Sequence, residues 1–292
     1  MDSAVVITTK DRIDYLERAV KSVFSQTLLP AELVIIDDCS VHQLPDNLLK
    51  RFQELAIQRN INFNYIYNSE SKGGNYSRNL GIKTTSSSIV HFLDDDDYWL
   101  NGKIKDQLEQ FESNEKVGLV FTGKCFVQDT DLDIIKRKSR HKKLEGSIWN
   151  GNYVGSTSGV AVKREFLERT KGFDNNLQSL QDYDLWIRVL ELTKGIWDTK
   201  HNLIYTVHSN VSKQITGNVD KHLNTVAYLK EKYKQKLKTI PSKDRKVFES
   251  RLEHVLARAY RSQKSNRYIK HALASLWLHP SIRTFLLFFN IK

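Results

Sequence analysis

The sequence predicts an α/β fold with one mostly parallel sheet flanked by helices, followed by a helical extension at the C-terminal end. Short apolar runs alternate with segments of helical spacing over the first hundred residues, and this alternation is typical of a parallel sheet that helices cover on both faces. Acidic residues directly follow two of the apolar runs, and Lys becomes frequent from about residue 220. We therefore predict a sheet domain over residues 1–215 and a basic amphipathic helical tail over residues 216–292.

The first hundred residues contain four predicted strands and three predicted helices. The strands are the apolar runs at residues 4–8, 32–37, 63–67 and 89–93. Apolar residues at helical spacing indicate the first two helices, and a third helix is placed around residues 76–83. The residues that mark the first two helices are Ile13, Leu16, Val20 and Val23, and then Leu44, Leu48, Phe52 and Leu55.

The pattern continues past residue 100 and then becomes looser. A helix is predicted over about residues 103–113 and a strand over residues 117–122. The polar stretch at 129–146 is rich in Lys and Arg, and we interpret it as a loop. The remaining predicted elements of this domain are a strand at 160–162, a helix at 182–193 and a strand at 203–207.

Composition and charge restrict the class of protein. The chain has 292 residues, of which 40% are hydrophobic, and a formal net charge of +11. Such a surplus attracts polyanions, namely nucleic acid, anionic lipid or phosphate-rich ligands. Cys39 and Cys125 lie far apart in sequence, so neither a disulfide framework nor a zinc site is expected. The first residues do not resemble a signal peptide and no stretch has the ~20 apolar residues of a membrane span, so we expect a cytoplasmic protein.

Four consecutive carboxylates, Asp94 to Asp97, directly follow the fourth predicted strand. In a parallel sheet, ligands bind beyond the carboxyl ends of the strands. Adjacent anions repel one another unless a cation shares the site, and hard oxygen ligands suit Mg²⁺ or Mn²⁺. The alternative interpretation is an acidic helix start, but capping needs only one or two carboxylates. Asp37 and Asp38 close the second strand in the same way, although such a pair is also common in turns.

Three segments resemble, in their order and spacing, family 2 glycosyltransferases of the GT-A fold. They are VVITTKDRIDYLERAVKSVFSQTLLPAELVIIDDCS, GGNYSRNLGI and IVHFLDDDDYW. The resemblance covers roughly residues 3–210. It implies an inverting transfer of a hexose or N-acetylhexosamine from a UDP-sugar to a saccharide acceptor, which we expect to be lipid-linked. The implied pathway is the synthesis of a bacterial surface polysaccharide such as O-antigen, lipopolysaccharide or capsule.

The same resemblance implies roles for residues around the donor nucleotide. Thr8, Thr9 and Arg12 would line the nucleobase pocket at the end of the first strand. Asp38 would accept a hydrogen bond from the uracil ring. Arg78 would approach the nucleotide or its phosphates, which suits the bidentate bonds of a guanidinium, unless it is an ordinary surface residue of a helix.

The family pattern in the acidic run is Asp-x-Asp, which we assign to Asp94 and Asp96. Asp96 would be the direct ligand of Mn²⁺ or Mg²⁺, and Asp95 would reach the ribose. The run of four leaves a competing register, in which Asp95 and Asp97 form the pair. His208, which follows the last strand of the domain, is a further candidate for contact with the metal or the diphosphate.

The catalytic base is expected at the start of a helix in the second half of the domain. The segment SLQDYDLWIRV resembles the family motif Glu-Asp-x-x-x-Trp, with Gln181 in place of the glutamate. Asp182 is therefore our candidate for the carboxylate that takes the acceptor proton, with a helix N-cap as its alternative role. We favour a core position for Trp186, since Trp is buried heavily on average. The small polar residues at 156–158 line the acceptor site or simply form a turn.

The tail combines an apolar helical stripe with basic neighbours. This pattern suits the surface of an anionic bilayer, here the inner face of the inner membrane, but a helix pair packed on its own core or a homodimer contact has the same pattern. The apolar residues are Leu273, Leu276, Trp277, Ile282, Phe285, Leu286 and Phe289, and the basic ones are Arg267, Lys270, Arg283 and Lys292.

Two functions of other classes compete with glycosyl transfer. The net charge would suit a nucleic-acid-binding protein, but the sequence has neither an aromatic platform motif nor a helix-turn-helix signal, so no nucleic-acid partner is expected. A sugar nucleotidyltransferase would share the α/β layout and the metal. It would want a glycine-rich basic loop after the first strand, whereas this chain has TTKDRIDY there.

Overall fold

The computed structural model describes residues 1–140, 147–209 and 219–289. The strands are β1 Ser3–Thr9, β2 Glu32–Asp37, β3 Asn62–Tyr67, β4 Ile89–Asp94, β5 Tyr98–Trp99, β6 Val117–Phe121, β7 Lys124–Gln128, β8 Arg137–Lys138, β9 Val160–Lys163, β10 Lys194–Trp197 and β11 Leu203–Val207. The α-helices are α1 Ile13–Phe24, α2 Asp46–Gln58, α3 Gly74–Lys83, α4 Lys103–Ser113, α5 Arg164–Arg169, α6 Gln181–Leu190, α7 Val219–Lys232, α8 Lys236–Thr239, α9 Ser242–Ser262, α10 Arg267–Leu278 and α11 Ile282–Phe285.

Within the described residues, a seven-stranded sheet has the order β10-β6-β9-β4-β1-β2-β3. Neighbouring strands are parallel except for β9, which runs antiparallel to both β4 and β6. The predicted α/β class with a mostly parallel sheet is therefore confirmed. The four strands and three helices predicted in the first hundred residues are all present, with small differences at their ends.

A second sheet, of four strands in the described part of the chain, was not predicted. Its order is β5-β11-β7-β8. β11 pairs in parallel with β7 and antiparallel with β5. β5 and β8 have two residues each, which is too short for an alternation signal. β8 also lies inside the stretch that we interpreted as a loop.

The core forms because β1 is buried along its whole length and helices close on it. The inner face of α1 presents Leu16, Val20 and Val23, all buried, at the spacing of helical turns. α3 approaches β1 more closely than a side chain would allow. A Cβ at Gly81 would lie 2.3 Å from Val6 Cγ1, so only glycine fits at this contact.

The chain forms two compact units. The first contains Met1–Leu144, Val154–Asn175 and Asp184–Val207. The second contains the C-terminal helices together with two earlier segments, Glu145–Tyr153 and Asn176–Tyr183. The predicted boundary near residue 215 lies outside the described residues. Among the described helices, none has the length and apolar character needed to span a bilayer.

Lys103 is fully buried in the first unit, at the start of α4. Its amine lies 2.9 Å from His91 Nδ1 and 3.7 Å from the centre of the Trp99 ring. Burial lowers the pKa of Lys103 well below its ordinary value, although Asp198 acts in the opposite direction. Burial, together with the charge of Lys103, also lowers the pKa of His91. Burial therefore makes the charged form of this amine less favourable than it is in water.

Replacing Lys103 by Met is expected to stabilise the protein at pH 7 by about 1–2 kcal/mol, because Met fills a similar volume without a charge to desolvate. The pKa of the buried amine lies well below that of the unfolded Lys side chain, which is about 10.4, so between these two pKa values the unfolded chain binds more protons. Wild-type stability therefore rises with pH in this range, and the gain should shrink at pH 9. Urea denaturation at both pH values measures this, with the exposed Lys105→Met as control. A loss of stability at both pH values would contradict it.

Candidate active site

The carboxyl ends of three neighbouring strands bring the predicted donor-site residues of the first unit together. β1 lies between β2 and β4 in the sheet. In the register, Thr8 is level with Asp94 on one side and Thr9 is level with Asp37 on the other. Both threonines are buried. The polar strand ends therefore meet at one edge, as the alternation predicted.

The four aspartates after β4 alternate between buried and partly exposed positions. Asp95 and Asp97 are fully buried. The side chains of Asp94 and Asp96 keep 27% and 19% of their surface exposed. The side chains of Asp94 and Asp96 are thus partly exposed, whereas those of the competing pair, Asp95 and Asp97, are buried.

Asp95 is held by polar partners inside the protein. Its carboxylate accepts a hydrogen bond of 2.7 Å from the Thr9 hydroxyl and pairs with Arg12 at 2.6 Å. Burial raises its pKa to about 7 even though Arg12 acts to lower it. A ribose could reach this carboxylate only if Arg12 or the strand end moved.

Asp97 contacts a strand of the second sheet. One of its oxygens accepts the backbone N–H of Thr206 on β11 at 3.0 Å. Burial raises its pKa well above the ordinary value, and repulsion from Asp96 and Asp94 adds to this effect. Asp97 therefore ties the acidic run to β11.

Three arginines compensate the charge of the acidic run. Arg78 pairs with Asp94 at 2.6 Å, and Arg12 bridges Asp95 and Asp96. Burial opposes ionisation of Asp94, but the charge and hydrogen bond of Arg78 outweigh it and lower the pKa of this carboxyl. Arg78 and Arg12 were predicted as site residues, and both contact the acidic run.

Arg18 is the third of these arginines, and the sequence analysis missed it. Its guanidinium donates to the backbone oxygen of Asp96 and, at 3.0 Å, to the Thr206 hydroxyl. It also lies over the Tyr98 ring, 4.8 Å from the ring centre. Burial lowers the pKa of Arg18, against the influence of Tyr98 and Asp97. Its position on α1, six residues after Arg12, carries no motif that would have marked it.

Among the described residues, Asp38 accepts hydrogen bonds from five donors. All five donors lie between residues 68 and 77, a segment that includes the turn into α3. Burial opposes ionisation of Asp38, but these bonds outweigh it and lower its pKa. A uracil ring would have to replace one of them to contact this carboxylate. The donors are the Asn68 side chain, the Ser71 and Ser77 hydroxyls and the backbone N–H groups of Lys72 and Gly73.

Asp182 and His208 belong to the second unit. Asp182 is in the first turn of α6 rather than at its N-cap. Its carboxylate accepts the N–H of Tyr183 at 2.7 Å and the amide of Asn152 at 3.2 Å. His208 is buried. The roles of Asp182 and His208 in catalysis and metal binding stay predictions.

Other residues of α6 are held inside the first unit. Asp184 pairs with Arg188 at 2.6 Å and is fully buried. Trp186 is also fully buried, and its indole donates to the Gly155 carbonyl at 3.1 Å. Trp186 is thus a core residue, as we favoured.

The partly exposed oxygens of Asp94 and Asp96 fit a hard divalent cation. Among the described residues, no group of three or more His, Cys, Asp or Glu side chains converges as a metal cage. Mg²⁺ usually binds one or two carboxylates and completes its shell with water and substrate phosphates. The pair therefore suits an ion that arrives with a diphosphate rather than one held by protein alone.

Comparison with known proteins gives a consistent family. Residues 4–170 match the model of glycosyl transferase family 2. An uncharacterised glycosyltransferase of Haemophilus influenzae is 23% identical over 76% of this chain and 78% of its own. The putative teichuronic acid biosynthesis glycosyltransferase TuaG of Bacillus subtilis is 26% identical, covering 74% and 81%. The Escherichia coli UDP-Glc:α-D-GlcNAc-diphosphoundecaprenol β-1,3-glucosyltransferase WfaP is 27% identical, covering 75% and 82%.

Solved structures share the fold. Staphylococcus aureus TarS in complex with UDP-GlcNAc superposes with a TM-score of 0.61 at 13% identity, covering 95% of this chain and 91% of TarS. The mannosyltransferase PcManGT of Pyrobaculum calidifontis, in complex with GDP-Man and Mn²⁺, gives 0.59 at 14% identity, covering 99% and 88%.

Replacing Asp38 by Ala should lower the free energy of unfolding by about 3 kcal/mol, because several donors lose a charged partner. The folded state lowers the pKa of Asp38 from 3.8. Its contribution is therefore present above that pH and is lost as the pH falls below it. Urea denaturation between pH 3 and 7 should show the difference from wild type shrinking in acid. Asp133→Ala, in an exposed segment, is the control, and equal stability of the two variants would contradict the assignment.

Proposed function

The chain belongs to glycosyl transferase family 2, and we propose that it transfers a hexose or N-acetylhexosamine from a UDP-sugar to a lipid-linked saccharide acceptor. The observation that carries the proposal is the pair of partly exposed carboxylates, Asp94 and Asp96, at the edge where β1, β2 and β4 end. Family membership favours glycosyl transfer over nucleic-acid binding and over nucleotidyl transfer. A role in bacterial surface polysaccharide synthesis is supported by the names of the relatives TuaG and WfaP.

The donor would bind at the edge formed by these strand ends. We propose that Thr8, Thr9 and Arg12 line the nucleobase pocket and that Asp38 shapes it through the loop before α3. We also propose that the uracil ring donates a hydrogen bond directly to Asp38. The ring would then replace one of the protein groups that donate to this carboxylate. Arg78 is suited to the diphosphate. Its guanidinium lies beside Asp94, and guanidinium groups form charge-assisted hydrogen bonds with phosphate oxygens.

Asp94 and Asp96 would hold Mn²⁺ or Mg²⁺, with Asp96 as the direct ligand and His208 as a further candidate. When bound, such an ion neutralises the charge that develops on the departing diphosphate. Arg12 pairs with Asp95 and Asp96, so it offers a second cation close to the same oxygens. We propose that Asp95 supports Arg12 and reaches the ribose only after Arg12 moves.

Asp182 is proposed as the general base of an inverting transfer. It would take the proton of the acceptor hydroxyl as that oxygen attacks the anomeric carbon. The bond from this carbon to the phosphate oxygen breaks, the UDP leaves, and the new glycosidic bond forms on the opposite face of the sugar. The support is the match of its surroundings to the family motif and its place in the first turn of α6.

The exposed face of α10 and α11 supports contact with an anionic membrane. Its apolar side chains lie in solvent, with Trp277 86% and Ile282 79% exposed. Exposed Arg267, Lys270 and Arg283 adjoin them, which complements acidic lipid headgroups. Lys292 lies outside the described residues. A lipid-linked acceptor would be presented at this surface, so we propose a peripheral position on the inner face of the inner membrane. The other exposed apolar residues are Ile269, Leu273 and Phe285 on these two helices, and Leu286 and Phe289 shortly after α11.

Asp96→Asn should abolish turnover, because it removes the charge of the proposed metal ligand. We expect UDP release from UDP-glucose, UDP-galactose or UDP-N-acetylglucosamine in Mn²⁺ to fall at least ~100-fold, the loss of a few kcal/mol of charge stabilisation. A coupled assay for UDP measures this, and thermal shifts with each donor, with and without Mn²⁺, report binding. Asp133→Asn is the control. Full activity of Asp96→Asn would refute the metal assignment.

Trp277→Ser should weaken binding to vesicles that contain phosphatidylglycerol by about tenfold, because the transfer of a large apolar side chain is lost. Vesicle sedimentation measures this. Ile57→Ser, on the first unit and 79% exposed, is the matched control. If Trp277→Ser leaves vesicle binding unchanged but abolishes a concentration-dependent dimer, the face is a homodimer contact instead.

A further inference from the structure

The segment that carries Asp182 is built into the same compact unit as the C-terminal helices. We infer that these helices position Asp182 and that Asn152 is the residue that orients its carboxylate. The inference rests on the proposed function, in which Asp182 takes the acceptor proton. It gives the tail a part in the reaction itself, in addition to the proposed membrane contact.

An aromatic cluster joins the three pieces of the second unit. The Trp149 ring lies 5.0 Å from the Tyr233 ring and 5.2 Å from the Phe248 ring, in both cases edge to face. Tyr183 packs against Phe248 at 6.1 Å. Trp149, Tyr183 and Phe248 are buried. The described part of the first short segment, residues 147–153, and the segment 176–183 therefore share a buried aromatic cluster with side chains of the tail.

Tyr183 fixes the backbone next to Asp182. Its hydroxyl donates to the Ile148 carbonyl at 3.0 Å, and its ring is held by Phe248 of α9. Its backbone N–H donates to the Asp182 carboxylate at 2.7 Å. The position of the base thus follows the position of Tyr183, which depends on a buried contact with the tail.

Asn152 supplies the second hydrogen bond to Asp182. Its amide donates to Asp182 Oδ2 at 3.2 Å, while the Tyr183 N–H binds Oδ1. A carboxylate has about four lone-pair sites, so two such bonds fix the plane of the group and still leave it able to accept a proton. Fixing a reacting group in one orientation lowers the entropy that must be lost in the transition state.

α9 holds Asn152 in place through the residue before it. Gly151 has φ of 131°, and a Cβ at this position would lie 1.8 Å from Arg251 Cζ. The Arg251 guanidinium therefore lies directly against the Gly151 backbone. Burial lowers the pKa of Arg251, although Tyr183 acts to raise it. α9 thus contacts both residues that hydrogen-bond to Asp182 or their neighbours. Its Phe248 packs against Tyr183, and its Arg251 lies against Gly151, the residue before Asn152.

The test compares Asn152→Ala with Asp182→Asn in the full-length chain, using UDP release from UDP-glucose, UDP-galactose and UDP-N-acetylglucosamine. We expect Asn152→Ala to lower kcat about tenfold, as for a misplaced catalytic group, with the KM of the donor and the thermal shift caused by UDP and Mn²⁺ unchanged. Asn152→Asp, of the same size, should lower kcat further because it places a second carboxylate beside the base. Asn176→Ala, an exposed position of the same unit, is the matched control.

Arg251→Met provides an independent variant, since it alters the support of Gly151 without touching Asp182. It should also lower kcat and leave donor KM unchanged, with circular dichroism showing a folded protein. If Asp182→Asn is inactive while both Asn152→Ala and Arg251→Met match the Asn176→Ala control, the positioning role of Asn152 and α9 is overturned. The assignment of Asp182 as the base then still stands. If Asp182→Asn remains active, the proposed base itself is wrong. If none of the three donors is hydrolysed by the wild type, the donor assignment and this inference both fail.

Discussion

The structure of the first unit depends on how four consecutive carboxylates are placed at the end of one buried strand. Asp94 ends the strand, the next two aspartates form a turn, and the N–H of Asp97 donates to the Asp94 carbonyl at 3.1 Å. In this turn Asp95 and Asp97 are buried, whereas Asp94 and Asp96 are partly exposed. A buried carboxylate is costly unless it is paired or protonated. The pairing of Arg12 with Asp95, and the raised pKa of Asp97, are the two ways in which this requirement is met.

Charge compensation also connects the sheet with the helices that cover it. Arg12 directly precedes α1, Arg18 lies within it, and Arg78 belongs to α3. These helices therefore supply cations to the acidic run at the end of β4. Removing a single partner would leave an uncompensated charge at low dielectric. These ion pairs therefore fix the local geometry, whereas the free energy of folding comes mainly from the apolar faces beneath them.

Apolar periodicity was enough to predict the fold class, because the first strands and helices each carry a clear pattern. It was not enough for β5 and β8, which have two residues each. β5 pairs with β11 from a distant part of the chain, and β8 pairs with the nearby β7. In the site, the run of aspartates could be recognised from the sequence. Which of them are partly exposed, Asp94 and Asp96, and which are buried, Asp95 and Asp97, could be learned only from the structure. The donors to Asp38 and the role of Arg18 depend on how separate loops and helices meet, and no local signal shows this.

The second unit shows why a tail with no recognisable motif can still be necessary. The segments 147–153 and 176–183 are too short to bury their own aromatic side chains, and a short segment without a core has little to offset its loss of conformational entropy. Trp149 and Tyr183 find that core on α9 and its neighbours. The apolar residues of α10 and α11 that this core does not use remain exposed. In the proposed function, a single tail therefore fixes the position of Asp182 through its buried aromatic residues and presents its exposed apolar residues to a lipid surface.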